Sequence, residues 1–245
     1  MFSQKDGKLF YSFDNQTVCI EAWGPNALRV RATANREFTD NDWALTETIE
    51  KGSPDIDIHV AKLDANLIET LMGSVDKETY AKITNGKITA CFNGQGVLSF
   101  INDKGEILLK ENWRRLDDSP SMSLKYEGRE FLPEEGENYK ITLRFLANDD
   151  EKIFGMGQYQ QPYLDQKGCI VELSQRNSQS SVPFMISNRG YGMLWNNPAI
   201  GHATFGKNLT EWVAEPQNRW TTGSSRATVR RKLKKPTQKS PEPFR

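Results

Sequence analysis

The sequence predicts an all-β protein: a two-sheet antiparallel β-sandwich followed by a short C-terminal linker or helix. Three observations indicate this class. Short runs of strand-forming residues recur along the 245-residue chain, and turn-forming Gly, Asn, Asp and Pro residues separate them, at the spacing typical of a sandwich. In addition, 37% of the residues are hydrophobic, which is ordinary for a globular protein that buries a core.

A β-hairpin is the first element that the sequence predicts. Residues 17–23 and 27–33 are runs of strand formers on either side of a Gly-Pro-Asn turn at 24–26. Apolar and basic residues alternate along the second run. We therefore expect Leu28 and Val30 on one face of the strand and the arginines on the other.

A meander of four short strands is predicted over residues 79–110. Asn85-Gly86 is a strong hairpin signal, because both central positions of that turn type need positive φ. The turn sequences NGQG and NDKG separate the later strands. Four strands in so short a stretch are typical of a sandwich.

The remaining segments follow from the same patterns. Residues 34–58 are polar and predict a loop that contains one strand. Leucines four residues apart predict a short helix over 61–72. Asp, Ser, Pro, Glu and Gly make residues 117–138 a long excursion. Strand signals resume at 139–147 and continue to Trp220.

The stretch 187–201, SNRGYGMLWNNPAIG, concentrates glycines, amides and aromatic residues. Its apolar residues, from Tyr191 to Trp195, predict one short strand between tight turns. We expect the glycines to supply backbone freedom there and Trp195 to fill the core. A binding site is the alternative interpretation.

Charge and cysteine content bear on the partners and the cellular location of the protein. Lys and Arg together number 32, as do Asp and Glu, so the average charge gives no case for a nucleic-acid or membrane partner. No run approaches the roughly 18 apolar residues of a membrane span. The N-terminus lacks the apolar run of a signal peptide, and three widely spaced cysteines suit reduced thiols. A cytoplasmic protein is predicted.

The C-terminal residues 224–245 depart from this balance, with eight basic residues and one acidic residue. A solvated tail is the favoured interpretation, and a polyanion-binding tail is the alternative.

Motifs for catalysis are missing from the sequence. His59 and His202 have no Cys, His or carboxylate at metal-ligand spacing beside them, and there is no nucleophile elbow. Adjacent carboxylates at 117–118, 134–135 and 149–150 are typical of solvated loops. The residues themselves therefore predict no catalytic group, no metal and no cofactor.

Several segments in register resemble the N-terminal β-sandwich of glycoside hydrolase family 31, the α-glucosidase and α-xylosidase family. They are FGMGQ at 154–158, LDQKG at 164–168, VELSQRN at 171–177, VPFMIS at 182–187, RGYGMLWNNP at 189–198 and EWVAE at 211–215. The resemblance implies a sandwich of the galactose-mutarotase-like type over residues 1–220.

Family members cleave α-glycosidic bonds with two carboxylates about 5 Å apart on a (β/α)₈ barrel that follows this sandwich. A barrel needs roughly 200 residues, and only residues 221–245 follow the predicted sandwich. The chain as given is therefore predicted to be inactive by itself. The resemblance implies a supporting role beside such a barrel, with an α-glucoside or an α-xyloside as the carbohydrate partner.

Residues 221–245 resemble the family's linker into the barrel, but the resemblance is loose. Arg226 stands where a proline is expected, and Leu233 where the tyrosine usually stands. An expression boundary, a divergent natural fragment and a disrupted gene all fit this departure.

The resemblance also implies site residues. The family's amide-rich loop approaches the sugar cleft, and the matching positions are Gln175, Arg176 and Asn177, with Asp165 and Gln158 as outer candidates. Amide and guanidinium groups suit sugar hydroxyls, which both donate and accept hydrogen bonds. The alternative is that these side chains satisfy the backbone of their own loops.

A free-standing carbohydrate-binding module is the second functional hypothesis. It requires tryptophans exposed on one concave sheet as stacking platforms. The candidates for such platforms are Trp23, Trp113, Trp195, Trp212 and Trp220.

Overall fold

The structure, a computed structural model, describes residues 1–38, 52–60, 79–112, 114–116, 124–135, 138–216 and 224–231. Within these ranges the named regular elements are strands. They are β1 (Phe2–Lys5), β2 (Lys8–Phe13), β3 (Gln16–Ala22), β4 (Ala27–Ala34), β5 (Asp55–His59), β6 (Tyr80–Asn85), β7 (Ile88–Asn93), β8 (Leu98–Asn102), β9 (Ile107–Lys110), β10 (Arg114–Leu116), β11 (Leu124–Tyr126), β12 (Arg129–Glu134), β13 (Asn138–Leu146), β14 (Ile153–Gln158), β15 (Ile170–Leu173), β16 (Ser180–Ser187), β17 (Tyr191–Trp195), β18 (Gly201–Phe205), β19 (Leu209–Ala214) and β20 (Ser224–Arg231).

The first layer is an eight-stranded antiparallel sheet in the order β1-β2-β3-β4-β20-β17-β16-β14. Its β3–β4 pair is the predicted hairpin, which is confirmed with Ala22 opposite Leu28. Leu28 and Val30 lie in the core as expected. Arg29 and Arg31 are buried as well, on the other face, beside the buried Glu21.

The second layer combines two five-stranded sheets, β12-β13-β19-β18-β15 and β5-β6-β7-β8-β9. Glu111 forms an antiparallel bridge with Phe145 between them, and the Asn112 N–H donates to the Arg144 carbonyl over 2.9 Å. Side chains from both parts and from the first layer form one hydrophobic cluster. The fold is the predicted antiparallel β-sandwich.

The meander predicted over 79–110 is confirmed as β6 to β9, but its first turn is shifted by one residue. Asn85 pairs with Ile88, so Gly86 and Lys87 are the central residues, and Gly86 has a φ of 61°. The Asn85 amide instead donates to two carbonyls of the β3–β4 turn, at 2.7 and 2.8 Å. Asn85 therefore ties one hairpin to another.

Two predictions about the chain's loops are wrong in part. Residues 129–134 lie in the predicted excursion but form β12; Pro133 is tolerated there because β12 is an edge strand of its sheet. Residues 224–231 lie in the predicted linker or helix but form β20, between β4 and β17. The inner edges of those two strands would otherwise lack backbone partners. The helix predicted over 61–72 lies outside the described residues.

Candidate functional site

The predicted residues 175–177 lie on the turn that connects β15 to β16. Arg176 and Gln179 form an isolated antiparallel bridge across this turn, and Asn177 is exposed at its tip. Because the connection is short, all three side chains are confined to one corner of the sandwich.

Gln175 is engaged by the backbone of the neighbouring strand. Its Nε2 donates to the Ser181 carbonyl over 2.7 Å, and its Oε1 accepts from the Ser181 N–H over 3.1 Å. Both ends of the amide are used, which fixes the turn against β16. This is the backbone role that the sequence left open as the alternative.

Arg176 forms a bidentate ion pair with Glu172, four residues earlier, with N–O distances of 3.0 and 2.5 Å. Both side chains are exposed. The hydrogen bonds from Arg176 lower the pKa of the Glu172 carboxyl below its ordinary 4.5. The guanidinium is thus held over the turn at little cost in buried charge.

A groove of about 280 Å³ lies beside Gln175. On its far side are Asn197, Pro198, Ala199 and Ile200, which belong to the segment that follows β17. The structure therefore brings the first two residues of the SQRN motif to the last two of the NNP motif. The Gln175 amide is held by Ser181, and Asn197 Oδ1 accepts from the Ala199 N–H over 2.9 Å, so both amides also order the walls of the groove.

Tyr159 is a contributor to this corner that the sequence analysis missed. Its hydroxyl donates to the Glu172 carbonyl over 2.7 Å and lies 2.8 Å from Ser181 Oγ. It therefore joins β15 in one layer to β16 in the other. Burial raises the pKa of Tyr159 above its ordinary 10.0. Its position directly after FGMGQ was the available signal.

Gln158 ends β14 and lies opposite Ser180, so it borders the same corner. The strand before it has an irregular register, with positive φ at Gly155, Met156 and Gly157. A Cβ on Gly155 would lie 2.5 Å from the Phe184 carbonyl, which explains the glycine. Met156 holds the same conformation without that freedom, at a cost of about 1 kcal/mol or more.

Asp165 lies at the other end of β14. Its Oδ1 accepts from the N–H groups of Ile153 and Lys167, both over 3.0 Å. Four of the five predicted residues are thus brought to one corner, and Asp165 closes a separate loop.

The RGYG segment runs from an exposed turn at Gly190 into the interior at Tyr191. Buried Glu151 accepts hydrogen bonds from the hydroxyls of Ser187 (2.5 Å) and Tyr191 (2.6 Å). Gly190 has a φ of 84°. Trp195 packs 5.9 Å from Trp212, measured between ring centroids. The structural interpretation of this stretch is confirmed for the turn and strand.

Tryptophan platforms find no support among the described tryptophans. Trp195 and Trp212 are fully buried, and Trp23 is half-buried with the Arg29 guanidinium 3.7 Å from its ring. Trp113 and Trp220 lie outside the described residues. Three of the five tryptophans that the carbohydrate-binding-module hypothesis needs as stacking platforms are therefore buried or half-buried.

Metal-ligand clusters and membrane-spanning helices are the two remaining features that bear on function. The described residues contain no group of three or more His, Cys, Asp or Glu side chains that could hold a metal ion. In that same part of the chain, no helix has the length and apolar character of a membrane span.

Comparison with known proteins places these features in a family. Residues 17–202 match the glycosyl hydrolase 31 N-terminal galactose mutarotase-like domain. The chain is 42% identical over 246 residues to the uncharacterized family 31 glucosidase ORF2 of Pseudescherichia vulneris, covering 94% of this chain and 43% of that protein. It is 28% identical to alpha-xylosidase A of Aspergillus niger, over 81% of this chain and 26% of that protein.

Among solved structures, a family 31 α-xylosidase from a soil metagenome, complexed with xylose, aligns with a TM-score of 0.77 and 39% identity. The alignment covers 95% of this chain and 32% of that one. The chain therefore spans less than half the length of each of these three relatives.

Proposed function

The chain belongs to the galactose mutarotase-like N-terminal domains of glycosyl hydrolase family 31, and we propose that it supports the catalytic part of a retaining α-glycosidase. In that role it takes no part in bond cleavage. It packs against a catalytic barrel and presents the β15–β16 turn to the sugar cleft. The observation that carries this proposal is one groove lined by Ser174 and Gln175 of the SQRN motif and by Asn197 and Pro198 of the NNP motif.

Exposed apolar side chains between β14 and β18 of the sequence suit a large partner domain. Tyr163, Leu164 and Ile170 are 62%, 80% and 70% exposed, and Val182 and Ile200 are 48% and 52% exposed. Of these, Ile200 lines the groove, and Ile170 and Val182 lie on β15 and β16, the two strands that the turn connects. Apolar surface of this kind is expected to be covered in an interface.

The side chains of the turn have two different proposed roles, positioning of the turn and contact with the sugar. Gln175 is committed to Ser181 and acts as a positioning residue, which holds the turn in place. Arg176 and Asn177 carry the exposed donors and acceptors, so we propose that they meet the sugar hydroxyls. Gln158 borders them, whereas Asp165, bound to two backbone N–H groups of another loop, is left out of the proposed contact set.

The substrate of the whole protein is proposed at the level of α-glucosides or α-xylosides, as the names of the relatives suggest. A cytoplasmic location belongs to the same proposal. It is supported by Cys19, Cys91 and Cys169, all free thiols, since such thiols persist in a reducing compartment.

A chimera tests the proposal. The 245-residue chain replaces the matching region of the Pseudescherichia vulneris relative, and hydrolysis of aryl α-glucoside and aryl α-xyloside is measured. We expect no turnover from the chain alone and turnover from the chimera. A chimera that folds but shows no turnover would refute the supporting role.

Variants of the chimera test the turn. Asn177→Ala should lower kcat/KM by about tenfold, through the loss of hydrogen bonds to the sugar. The matched control is Asn208→Ala, an exposed amide at the opposite end of β18 and β19. Equal kcat/KM values for the two variants would show that the turn does not reach the substrate.

A further inference from the structure

A second cavity lies far from the groove, where three turns of the two layers meet. It has a volume of about 390 Å³ and shares no lining residue with the groove beside Gln175. Its walls come from the β2–β3 turn, the β7–β8 turn and the segment that leads into β12. A cavity of this size can hold a small molecule.

The floor of the cavity is an ordered ion pair. Arg129 Nη1 lies 2.5 Å from both carboxylate oxygens of the buried Glu111, and Nη2 donates to the Gly96 carbonyl over 3.0 Å. Glu111 also accepts from the Leu98 N–H over 2.8 Å. Burial raises the pKa of Glu111, and Arg129 opposes that rise. These contacts fix the floor before any ligand arrives.

The walls are equally fixed. Asp14 and Asn15 both have positive φ, 48° and 62°, as a tight two-residue turn requires. Asn93 Oδ1 accepts from the N–H groups of Gln95 and Val97, over 3.1 and 2.9 Å. This scaffold is preorganised, which reduces the entropic cost of binding.

Several polar groups above the ion pair have no partner among the described residues. They are the side chains of Gln16, Gln95 and Glu127 and the hydroxyl of Tyr11, which line the cavity. The cavity thus presents amides, a carboxylate and a phenol together.

An aromatic ring completes the set. Phe13 lines the cavity and is 66% exposed, so its ring is accessible to a ligand. An aromatic face beside amides and carboxylates matches a pyranose, which has an apolar C–H face and hydroxyls at its edge. We propose that this cavity binds a single neutral sugar unit, with Phe13 beneath its ring and Gln95 and Glu127 on its hydroxyls.

Other ligand classes fit the same cavity less well. An anion would meet the carboxylates of Asp14, Glu111 and Glu127. A fully apolar molecule would leave the amides without partners, at a cost of about 1–3 kcal/mol each. An inorganic cation would pair with the carboxylates but would leave the N–H donors of Gln16 and Gln95 without an acceptor.

Binding is tested on the 245-residue chain with D-glucose and D-xylose as probes, by saturation-transfer NMR and calorimetric titration. We expect saturable binding in the millimolar range, as is usual for a single small polar ligand. Gln95→Ala and Phe13→Ala should each weaken it by about three- to tenfold. Both side chains are at the surface, so both variants should fold, which circular dichroism checks.

A matched control completes the design. Gln4→Ala removes an exposed glutamine on β1 and should leave binding unchanged. Absence of saturable binding, equal affinities for wild type and Gln95→Ala, or binding of L-lysine in place of the sugars would each overturn the proposal. This readout does not depend on the Asn177 result, so either proposal can fail alone.

Discussion

Glu151 and Glu111 are both buried carboxylates, but they are held by different kinds of partner. Two hydroxyls, from Ser187 and Tyr191, donate to Glu151, whereas a guanidinium, from Arg129, holds Glu111. The surroundings differ as well, because Glu111 lines a cavity and Glu151 lines none of the described ones.

The difference shows how one residue type supports two kinds of structure. Around Glu151, two short hydrogen bonds from hydroxyl groups engage the Ser187 and Tyr191 side chains in the interior. Around Glu111, the ion pair fixes a floor while the groups above it stay open. A buried charge pair contributes little net stability. The main consequence of the Arg129–Glu111 pair is therefore the fixed geometry of the cavity floor.

Removal of the Glu111 carboxylate should have the largest effect. Glu111→Ala leaves Arg129 without its counter-ion and should lower the free energy of unfolding by about 3–5 kcal/mol, measured by urea denaturation. Glu134→Ala, at an exposed position of β12, is the control and should change it by less than about 0.5 kcal/mol. A loss below about 1 kcal/mol for Glu111→Ala would mean that water in the cavity compensates Arg129.

Removal of one hydroxyl beside Glu151 should have an intermediate effect. Tyr191→Phe keeps the buried ring and deletes only the donor to Glu151, so we expect a loss of about 1–2 kcal/mol. Tyr163→Phe removes the hydroxyl of an exposed tyrosine and serves as the control. If the two variants were equally stable, the hydrogen bond to Glu151 would be no stronger than one to water.

The dependence of the free energy of unfolding on pH, on the alkaline side, should show a smaller effect of Tyr191. Desolvation, followed by the charge of Glu151, raises the pKa of Tyr191 well above its ordinary 10.0. The folded state therefore keeps this proton longer than the unfolded chain. The contribution of Tyr191 is complete below pH 10.0 and is lost as the pH rises through the folded-state pKa.

This pH dependence is measured by denaturation at a series of alkaline pH values. The decline should be less steep in Tyr191→Phe than in the wild type. Tyr11 and Tyr159 also have raised pKa values, so only the difference between the two proteins reports on Tyr191. Identical slopes would contradict the assignment.

The exposed ion pair should contribute least. Arg176→Ala removes the partner of Glu172, so the pKa of that carboxyl should return toward 4.5, as observed by NMR titration. Because both groups are exposed, the unfolding midpoint should not change measurably. Arg36→Ala, on another turn, should leave the Glu172 pKa in place. A midpoint shift in Arg176→Ala alone would show that the pair braces the turn.

The sequence by itself determined most of the strands, including the buried strand that follows the turn of the RGYG segment. Period-two alternation and Gly- or Asn-containing turns are local signals, and the β3–β4 hairpin, the 79–110 meander and the strand Tyr191–Trp195 all follow from them. The matching motifs also located the turn at 175–177. Local signals failed at residues 129–134, where a proline in an edge strand resembles a loop.

Only the tertiary structure decided what depends on distant partners. β20 is stabilised as a strand by its backbone pairing with β4 and β17. Its own basic sequence does not indicate these partners. Asp165 and Gln158 were both outer candidates from motif order, and only the structure places them at opposite ends of β14, since sequence proximity does not fix a direction in space. The cavity above Glu111 draws on residues from Tyr11 to Arg129, which no local pattern connects, because its walls meet only when the two layers pack.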